Sequence, residues 1–382
     1  MHEKPLGGRI VTPVFVVCLA VIAFLIYYSV KRLFLGLGAT TGMNDGYPWG
    51  IWIAYDMVTG SALGCGGYVM ALMTYVLNRG HYHPLVRPAL LASIFGYSLG
   101  GVSILLDLGR YLNIWNLFVP PRMNFHSAML EVALCVTTYC CVMILEFAPA
   151  IAERFKLKKF GEILDRVIFL LIALGVLLPT MHQSSLGTMM FMAGTKLSPL
   201  WHTILLPFFF LMTALFIGFS MVVFESTISH RVYRLGDETS LLARIGAILS
   251  VFIAVFLLAR LQSLHVGGHL GEAFSGSFYS NMFIIEFMLL LGGMLTLWSR
   301  RMRHSAKGLF IAATLILLGG AMYRFNVYLI GYDPGNGWRY FPPVSEQMIT
   351  FGFIAVEIAA YAFCVKYFPV FSVGHESAAH HS

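Results

Sequence analysis

Ten apolar segments of membrane-spanning length follow one another along this chain of 382 residues. A helix needs about 20 predominantly apolar residues to cross the hydrocarbon core of a bilayer. The sequence therefore predicts an all-α fold: a polytopic integral membrane protein with about ten transmembrane helices. We expect these helices at roughly residues 14–34, 49–78, 88–111, 126–151, 164–183, 201–230, 241–264, 278–299, 308–331 and 346–368.

The composition supports this fold class and narrows the function. Hydrophobic residues make up 58% of the chain and charged residues only 11%, a balance that soluble domains do not reach. The formal charge of +7 fits loop Lys and Arg facing anionic lipid, because no basic patch interleaved with aromatic residues lies on a polar segment. We therefore expect a single transmembrane domain over residues 1–382, in contact with lipid and not with nucleic acid.

The distribution of basic residues predicts the orientation. Seventeen of the 25 Lys and Arg residues belong to the two termini and the loops after helices 2, 4, 6 and 8, and the other eight belong to the opposite side. By the positive-inside rule, both termini are expected in the cytoplasm. The outer connections, residues 36–48, 113–125, 184–200 and 333–343, are rich in aromatic residues, Pro or Gly, and are the expected docking surface for a soluble partner.

One outer segment is too apolar for a free loop. It reads SSLGTMMFMAGTKLSPLW over residues 184–201. Because irregular backbone at membrane depth must be covered by protein or lie at the interface, we expect a re-entrant or interfacial segment there.

Ionisable side chains inside the apolar segments are the main functional signal. Such groups are costly in a membrane, face the interior of a bundle or water, and commonly mark a path for protons, ions or substrate. They lie at Asp56, Asp107, Glu131, Glu146, His182, Glu225, Glu286, Arg324 and Glu357.

Depth along the helices divides these residues into groups. Four of them lie near the outer ends of helices 2 to 5 and, together with Arg110, could converge on one polar chamber: Asp56, Asp107, Glu131 and His182. Asp107 and Arg110 are three residues apart and could instead form a local ion pair on one helix face. Glu286 and Arg324 lie at similar depth on helices 8 and 9, and we expect a structural ion pair between them.

Helix 4 carries a polar stripe from one end to the other. Glu131 and Glu146 are 15 residues apart, hence about 22 Å along the axis, and Cys135 and Thr138 lie between them on the same side. This spacing is typical of a proton-conducting half-channel. Glu225 on helix 6 lies at the same cytoplasmic depth as Glu146, and both could alternatively extend to the interface.

The histidines and cysteines argue against a metal centre in this chain. A b-type haem between helices commonly needs histidines on facing spans, and only His182 lies well inside one. The six cysteines do not form the CxxC spacing of zinc or iron–sulfur sites. The tail HESAAHHS is expected to be disordered. His182 is a reasonable hydrogen-bond donor to a quinone carbonyl, although a buried histidine can also be purely structural.

Five motifs resemble those of a known family, the membrane subunits of hydrogenase-2-type nickel–iron hydrogenases, within the wider polysulfide-reductase-type (NrfD-like) group. They are PLGGRI at 5–10, YPWGIWIAYD at 47–56, HPLVRPALLASIFGYSLGG at 83–101, LEFAPA at 145–150 and LPTMHQSSLGT at 178–188. The resemblance implies two four-helix bundles with extra helices and no haem or iron–sulfur cluster in this chain. It also implies menaquinone, or another quinone, as the electron carrier, in the inner membrane of a bacterium.

The same resemblance implies partners and residue roles. On the periplasmic side, a ferredoxin-like iron–sulfur subunit and the small and large subunits of a nickel–iron hydrogenase would exchange electrons with the quinone. The implied quinone region surrounds Trp49, Asp56, Asp107, Arg110 and His182. The implied proton path contains Tyr97, Glu131, Glu146 and Glu225.

Two other functions remain open at this point. A sister complex could combine the same kind of membrane protein with a polysulfide, nitrite or tetrathionate module. A proton-coupled transporter could also use buried carboxylates, although such transporters commonly show inverted repeats and paired broken helices.

Overall fold

The computed structural model describes residues 3–372 except 45, 48, 237, 336, 338 and 339, and describes only the backbone of residues 3, 158, 160, 162, 165 and 372. Within that part of the chain, ten helices are long and apolar enough to cross a membrane, so the predicted fold class is confirmed. We number them α1 to α10: Pro13–Leu35, Trp52–Val76, Val86–Asp107, Ala128–Phe155, Lys158–Met192, Leu206–Tyr233, Thr239–Val266, Phe278–Trp298, Ala306–Phe325 and Val344–Tyr367.

The helices pack as two bundles of four and one pair. Helices α2 to α5 form the first bundle, in which α4 packs along α5 and α2 along α3. Helices α6 to α9 form the second, closed by contacts of α9 with α6 and α8. Helix α6 also packs on α2 and α5, so it forms the seam between the bundles, while α1 pairs with α10 beside α3.

Polar residues set several helix starts. The side chains of Thr12, Ser127, Ser277 and Ser305 each accept a hydrogen bond from a backbone N–H in the first turn of α1, α4, α8 and α9. These bonds satisfy donors that a helix leaves unpaired at its N-terminus. The sequence therefore determines helix boundaries close to the membrane surface by local chemistry as well as by hydropathy.

The first and last described residues of the chain lie together. A short strand β1, Glu3–Lys4, pairs antiparallel with β2, Phe371–Ser372. Beside it, the N–H groups of Leu6 and Gly7 donate to the carbonyls of Val365 and Lys366. Both described ends therefore lie on the same side of the bundles, as an even number of spans requires. The cytoplasmic location of that side stays a prediction, and the tail HESAAHHS lies outside the described residues.

Helix α2 is irregular over most of its length. Residues Trp52–Thr59 and Leu72–Val76 are wound as π-helix, and the regular helix breaks between them at Gly64 and Cys65. A Cβ atom on Gly64 would lie 2.8 Å from the ring of Tyr97 on α3. Departures of this kind are frequent at functional sites, and here the missing side chain leaves room for a buried tyrosine.

The apolar segment 184–201 is not re-entrant. Helix α5 continues to Met192, so the first half of that segment belongs to the spanning helix. Gly187 makes this possible, because the helix approaches the start of α6 so closely that a Cβ atom there would lie 2.4 Å from the Leu206 carbonyl oxygen. The expectation was therefore wrong for residues 184–192, whose apolar character reflects helix packing. An interfacial position of residues 193–201, beyond the end of α5, stays a prediction.

The connection between α3 and α4 exposes large apolar side chains. It contains two 3₁₀ helices, Tyr111–Phe118 and Pro120–Arg122. Leu112, Trp115, Phe118 and Phe125 are each more than half exposed. This connection contains one of the four outer segments that the sequence predicts as a docking surface, and its exposed aromatic rings are the side chains that interfaces favour.

We predict that Gly187→Ala destabilises the protein by roughly 1 to 3 kcal/mol, because the added methyl group would push α5 away from α6. Thermal unfolding in detergent measures the effect. The matched control is Gly101→Ala, since Gly101 is also helical but a Cβ atom there meets open space. If the two variants unfold at the same temperature, the close approach of α5 and α6 at Gly187 is not present in solution.

Candidate functional site

A continuous hydrogen-bond network lies where the two bundles meet. Arg324 of α9 donates to the Gln183 side-chain oxygen at 2.8 Å, and Gln183 of α5 donates to the Tyr97 hydroxyl at 3.3 Å. The Tyr97 hydroxyl of α3 lies 3.0 Å from Nε2 of His182. All four side chains are fully buried. Tyr97 and His182, which the resemblance assigned to different functions, thus belong to one network.

The chemistry of the partners gives this network a direction. The Leu178 carbonyl, 2.8 Å from Nδ1 of His182, can only accept, so Nδ1 carries the ring proton of the neutral imidazole. Nε2 is then an acceptor, and Tyr97 donates to it. At the other end, Arg324 can only donate, which turns the Gln183 oxygen towards α9 and its NH₂ group towards Tyr97 and Ser61.

Arg324 carries a positive charge into the centre of the protein without a carboxylate among its hydrogen-bond partners. Its guanidinium also donates to the Val58 and Phe210 carbonyls, at 2.5 and 2.9 Å, and to the Thr213 hydroxyl at 3.0 Å. These acceptors belong to α2 and α6. Because a buried cation is costly unless it is hydrogen-bonded, these bonds from the two terminal nitrogens tie four helices from both bundles together. The Nε atom of Arg324 is buried without a hydrogen-bond partner among the described residues.

The expected pairing of Arg324 with Glu286 was wrong. Glu286 pairs with Arg260 of α7, with the closest N and O atoms 3.4 Å apart, and both side chains are 2% exposed. Trp201 and Asn326 also donate to Glu286, at 2.9 and 2.7 Å. Similar depth on neighbouring helices was the basis of the prediction, but the two side chains have separate sets of partners.

His182 lies much deeper than expected. The sequence placed it at the outer end of its span, but α5 continues for ten more residues, which corresponds to about 15 Å. The rings of Tyr97 and His182 meet edge to face, as do those of Tyr97 and Tyr139. His182 is therefore part of the central network and does not belong to the outer polar group.

The outer ends of α3 and α10 hold a second polar cluster. Glu346 accepts hydrogen bonds from the Tyr340 hydroxyl and from the Gly42 N–H, the latter at 3.2 Å. Asp107 ends α3, and its Oδ1 atom is buried without a hydrogen-bond partner in the part of the chain that the structure describes. An unpaired carboxylate oxygen beside a second carboxylic group is an arrangement that can take up and release protons.

The tyrosines beside this cluster stay protonated at physiological pH. Burial raises the pKa of Tyr340 far above its usual value, and the nearby Glu346 and Asp107 carboxylates raise it further. Burial, followed by the charges of neighbouring tyrosines and Asp333, raises the pKa of Tyr47 to about 12. Both hydroxyls therefore act as hydrogen-bond donors: Tyr340 to Glu346, and Tyr47 to the Leu329 and Tyr332 carbonyls.

Two predicted quinone-region residues lie close to this end of the molecule. The Trp49 indole N–H donates to the Tyr328 carbonyl at 2.7 Å, and its ring packs on Tyr328 and Tyr332. Asp56, 6% exposed and inside the first π-helical stretch of α2, accepts from Thr350 of α10 at 3.0 Å. Asp56 thus occupies a level between the outer cluster and the central network.

The alternative ion pair of Asp107 with Arg110 was also wrong. Helix α3 ends at Asp107, so the two residues do not share a helix face, and Arg110 is exposed. The buried cation near Asp107 is Arg32 of α1, whose guanidinium donates to the Leu106 and Leu108 carbonyls. Arg110 is exposed at the surface, whereas Asp107 is partly buried.

The stripe on α4 is only partly as predicted. Glu131 lies in the first turn and is half-buried, and Cys135 faces the interior, but Thr138 is exposed on the outer surface of the protein. Its neighbour Tyr139 is buried instead and contacts Tyr97. The polar positions of α4 that face the bundle are therefore linked to the central network through an aromatic ring.

Glu146 and Glu225 point into the protein and do not extend to the interface. The Glu146 Oε1 atom is buried without a partner, in space that Gly175 of α5 leaves open. Glu225 accepts hydrogen bonds from Tyr361 of α10 and from Ser229, the latter at 2.8 Å. Both carboxylic groups lie at the end of the bundles opposite Glu131 and Asp107.

Sequence reasoning missed several members of these clusters. Gln183 and Cys65, whose thiol lies 3.2 Å from the Tyr97 hydroxyl, are polar or polarisable side chains inside apolar spans. Gln183 could have been found, because an amide next to a membrane histidine needs partners of its own. Arg260 and Glu346 lie near predicted helix ends, where charged residues are ordinary, so no sequence signal indicated their burial.

The comparison with known families settles the class of the protein. The family described as "Polysulphide reductase, NrfD" matches residues 39–333, from the start of the first outer connection to the end of α9 and the turn after it. The chain belongs to this family.

Individual relatives come from different redox complexes. A protein of Escherichia coli named "probable Ni/Fe-hydrogenase 2 b-type cytochrome subunit" is 44% identical over 377 residues, which cover 96% of this chain and 94% of the relative. The menaquinone reductase integral membrane subunit of Nitratidesulfovibrio vulgaris is 33% identical over 171 residues, 43% of this chain and 40% of that one. A selenate reductase subunit of Mesobacillus selenatarsenatis is 22% identical, covering 92% of this chain and 93% of the relative.

The name of the Escherichia coli relative raises the question of a haem. Both ring nitrogens of His182 are engaged, Nδ1 with Leu178 and Nε2 with Tyr97, and the side chain is fully buried among aromatic rings. His230 is likewise held between the Gly236 carbonyl and Glu238. These two histidines therefore do not fit axial ligation of a haem in this packing.

We predict that Glu286→Gln lowers the free energy of unfolding by roughly 3 kcal/mol, because the change leaves the buried Arg260 without a counter-charge. Denaturation in detergent, followed by tryptophan fluorescence, measures it. Glu272→Gln is the control, since its pair with His269 is exposed and should contribute less than about 1 kcal/mol. Equal stability of the two variants would show that Arg260 does not depend on Glu286.

Proposed function

We propose that this chain is the quinone-reacting membrane subunit of a respiratory nickel–iron hydrogenase, a hydrogen:menaquinone oxidoreductase. Hydrogen oxidation by the partner subunits releases two electrons and two protons. Two electrons and two protons convert the two carbonyl groups of menaquinone into the hydroxyl groups of menaquinol. In this proposal the chain binds the quinone and delivers the protons.

The observation that carries the proposal is the directed network from Arg324 through Gln183 and Tyr97 to His182. The network lies between the cluster of carboxylic groups at the outer ends of the helices and the pair of carboxylic groups at their opposite ends. Polar groups are therefore present at each depth across the protein. Family membership supports a redox complex. The names of the Escherichia coli and Nitratidesulfovibrio vulgaris relatives support a hydrogenase and a menaquinone, respectively.

We assign the quinone headgroup to the region of Trp49, Asp56 and Asp107, with Glu346 and Tyr340 as additional members and Arg110 at its outer edge. Carboxylic groups there can give protons to the carbonyl oxygens as electrons arrive. His182 and Tyr97 lie below this region, where they can orient groups above them or pass a proton inwards.

The proton route is proposed to start at Glu225 and Glu146, at the cytoplasmic side, and to reach the quinone region through Tyr97 and the central network. Glu131 lies at the outer end of α4, about 22 Å from Glu146 along the axis. If electrons enter from the periplasmic side and protons from the cytoplasm, the reaction moves charge across the membrane.

The proposal contains no haem and no iron–sulfur cluster in this chain. Electrons would come from a ferredoxin-like iron–sulfur subunit, itself reduced by the small and large hydrogenase subunits on the periplasmic side of the inner membrane. The exposed aromatic residues of the connection between α3 and α4 are the proposed contact for that partner.

A sister complex is the second candidate function. The Mesobacillus selenatarsenatis relative covers nearly the whole chain and is named as part of a selenate reductase. The membrane chemistry would be the same and the catalytic module different. Identification of the catalytic protein that copurifies with this chain distinguishes the two. A proton-coupled transporter with no redox partner is the remaining alternative, and it predicts uptake activity in the absence of an iron–sulfur protein.

We predict that Tyr97→Phe lowers hydrogen-driven menaquinone reduction at least tenfold, because His182 loses the hydroxyl that can pass a proton to Nε2. The Gln183 amide nitrogen also lies 3.2 Å from Nε2, but an amide does not exchange protons in this way. Reduction of an artificial dye by the same membranes should not change, since the dye takes electrons before the quinone. Tyr68→Phe is the matched control: this buried tyrosine bonds to Thr180, outside the network. Equal losses in both tyrosine variants would contradict a specific role for Tyr97.

We also predict that Glu131→Gln sharply impairs quinone-coupled turnover while hydrogen oxidation with the dye survives. The amide keeps the shape of the side chain but cannot exchange a proton. Glu153→Gln on the same helix serves as control, because its exposed pair with Arg87 lies outside the proposed path. Loss of both activities in Glu131→Gln would indicate failed assembly and remove the support for a proton path.

A further inference from the structure

A large groove opens at the basic end of the second bundle. Its volume is about 930 Å³. The last two turns of α6, the first turn of α7 and the first turn of α9 form its walls. This is the end at which the loops rich in Lys and Arg lie, so the groove is at the level of lipid headgroups. It shares no residue with the quinone region or with the central network.

The walls of the groove are apolar and partly open to lipid. Ile228, Val232 and Phe310 line it and are more than one-third exposed. Leu242 and Ile311 line its deeper part. Phe310 also stacks on Phe224 of α6, with ring centroids 5.3 Å apart. This contact holds the Phe310 ring in position as part of the groove. A groove of this shape accommodates flexible hydrocarbon chains that continue into the bilayer.

Two basic side chains on the rim have no ion-pair partner among the described residues. Arg231 on α6 and Lys307 on α9 both line the groove and are exposed. The acidic residue of the groove, Glu238, is already engaged: His230 lies 3.0 Å from its carboxylate, and Ser226 donates to it.

The remaining charge of the groove is therefore positive. Nδ1 of His230 faces the Gly236 carbonyl and Nε2 faces the Glu238 carboxylate. Both partners only accept, so the ring carries protons on both nitrogens and its charge cancels that of Glu238. Among the described residues, Arg231 and Lys307 are left as two positive charges without an ion-pair partner above an apolar groove.

We propose that this groove is a binding site for one anionic two-chain phospholipid, with the phosphate at Arg231 and Lys307 and the acyl chains along Ile228, Val232 and Phe310. Basic pockets between transmembrane helices on the cytoplasmic side are suited to anionic headgroups. Apolar walls alone cannot select a ligand inside a membrane, because lipid tails are equally apolar. The two rim charges therefore determine which ligand binds, and they favour a phosphate group over the neutral ring of a quinone.

The test is lipid binding to the full-length chain in detergent, measured by native mass spectrometry with phosphatidylglycerol and with the zwitterionic phosphatidylethanolamine as probes. We expect one phosphatidylglycerol molecule to be retained preferentially. In the double variant Arg231→Gln, Lys307→Gln the affinity should fall roughly 30-fold, the effect expected for losing two basic groups beside an anionic headgroup. Binding of phosphatidylethanolamine should not change.

Two further variants separate the site from general attraction. The double variant Lys156→Gln, Lys159→Gln removes the same charge from the turn after α4 and the first turn of α5, on the same side of the protein. It should leave binding unchanged. Ile311→Trp fills the groove and keeps both rim charges, and should also lower the affinity. Any of three results would overturn the proposal. They are equal losses of affinity in the two double variants, unchanged binding in the variant that lacks Arg231 and Lys307, and tight binding of a neutral lipid instead of the anionic one.

Discussion

The buried guanidinium of Arg324 is the interaction on which the centre of this protein depends. A cation in a low-dielectric interior costs several kcal/mol unless its donors are satisfied. Here the acceptors are neutral oxygens of α2, α5 and α6, contributed by both bundles. The bundles must therefore stay docked for the charge to be solvated. Arg324 also fixes the amide of Gln183, so that its NH₂ group faces Tyr97, while the Leu178 carbonyl determines which nitrogen of His182 accepts from Tyr97.

The protein accommodates its other buried arginines in different ways. Arg260 pairs with the Glu286 carboxylate, so that charge is balanced locally within the second bundle. Arg32 donates to carbonyls at the end of α3, close to Asp107, and its guanidinium lies over the ring of Tyr111. Of the three, Arg324 has neutral hydrogen-bond partners at the centre of the molecule. A residue held in this way is well placed to stabilise negative charge that appears during electron and proton transfer.

Hydropathy was sufficient for the fold, and much less so for the site. All ten spans were predicted because each apolar segment has the length that a bilayer requires, and the largest error was at the end of α5. The family resemblance brought Tyr97 to attention, and His182 is its direct partner. The predicted pairs of Glu286 with Arg324 and of Asp107 with Arg110 were wrong. The rotation of a helix about its axis and the residue at which it ends both depend on packing between helices, which a single sequence does not show. For the same reason Thr138 was placed inside and the burial of Arg260 and Glu346 was not foreseen.

The proposed function requires this chain to be the place where electrons meet quinone. The most direct measurement is hydrogen-driven reduction of a menaquinone analogue in membranes with and without this chain, beside reduction of an artificial dye by the same samples. The proposed function predicts that the quinone reaction is lost without the chain and that the dye reaction persists. Quinone reduction that continues without the chain would contradict it, and the buried carboxylic groups would then require a structural or transport explanation.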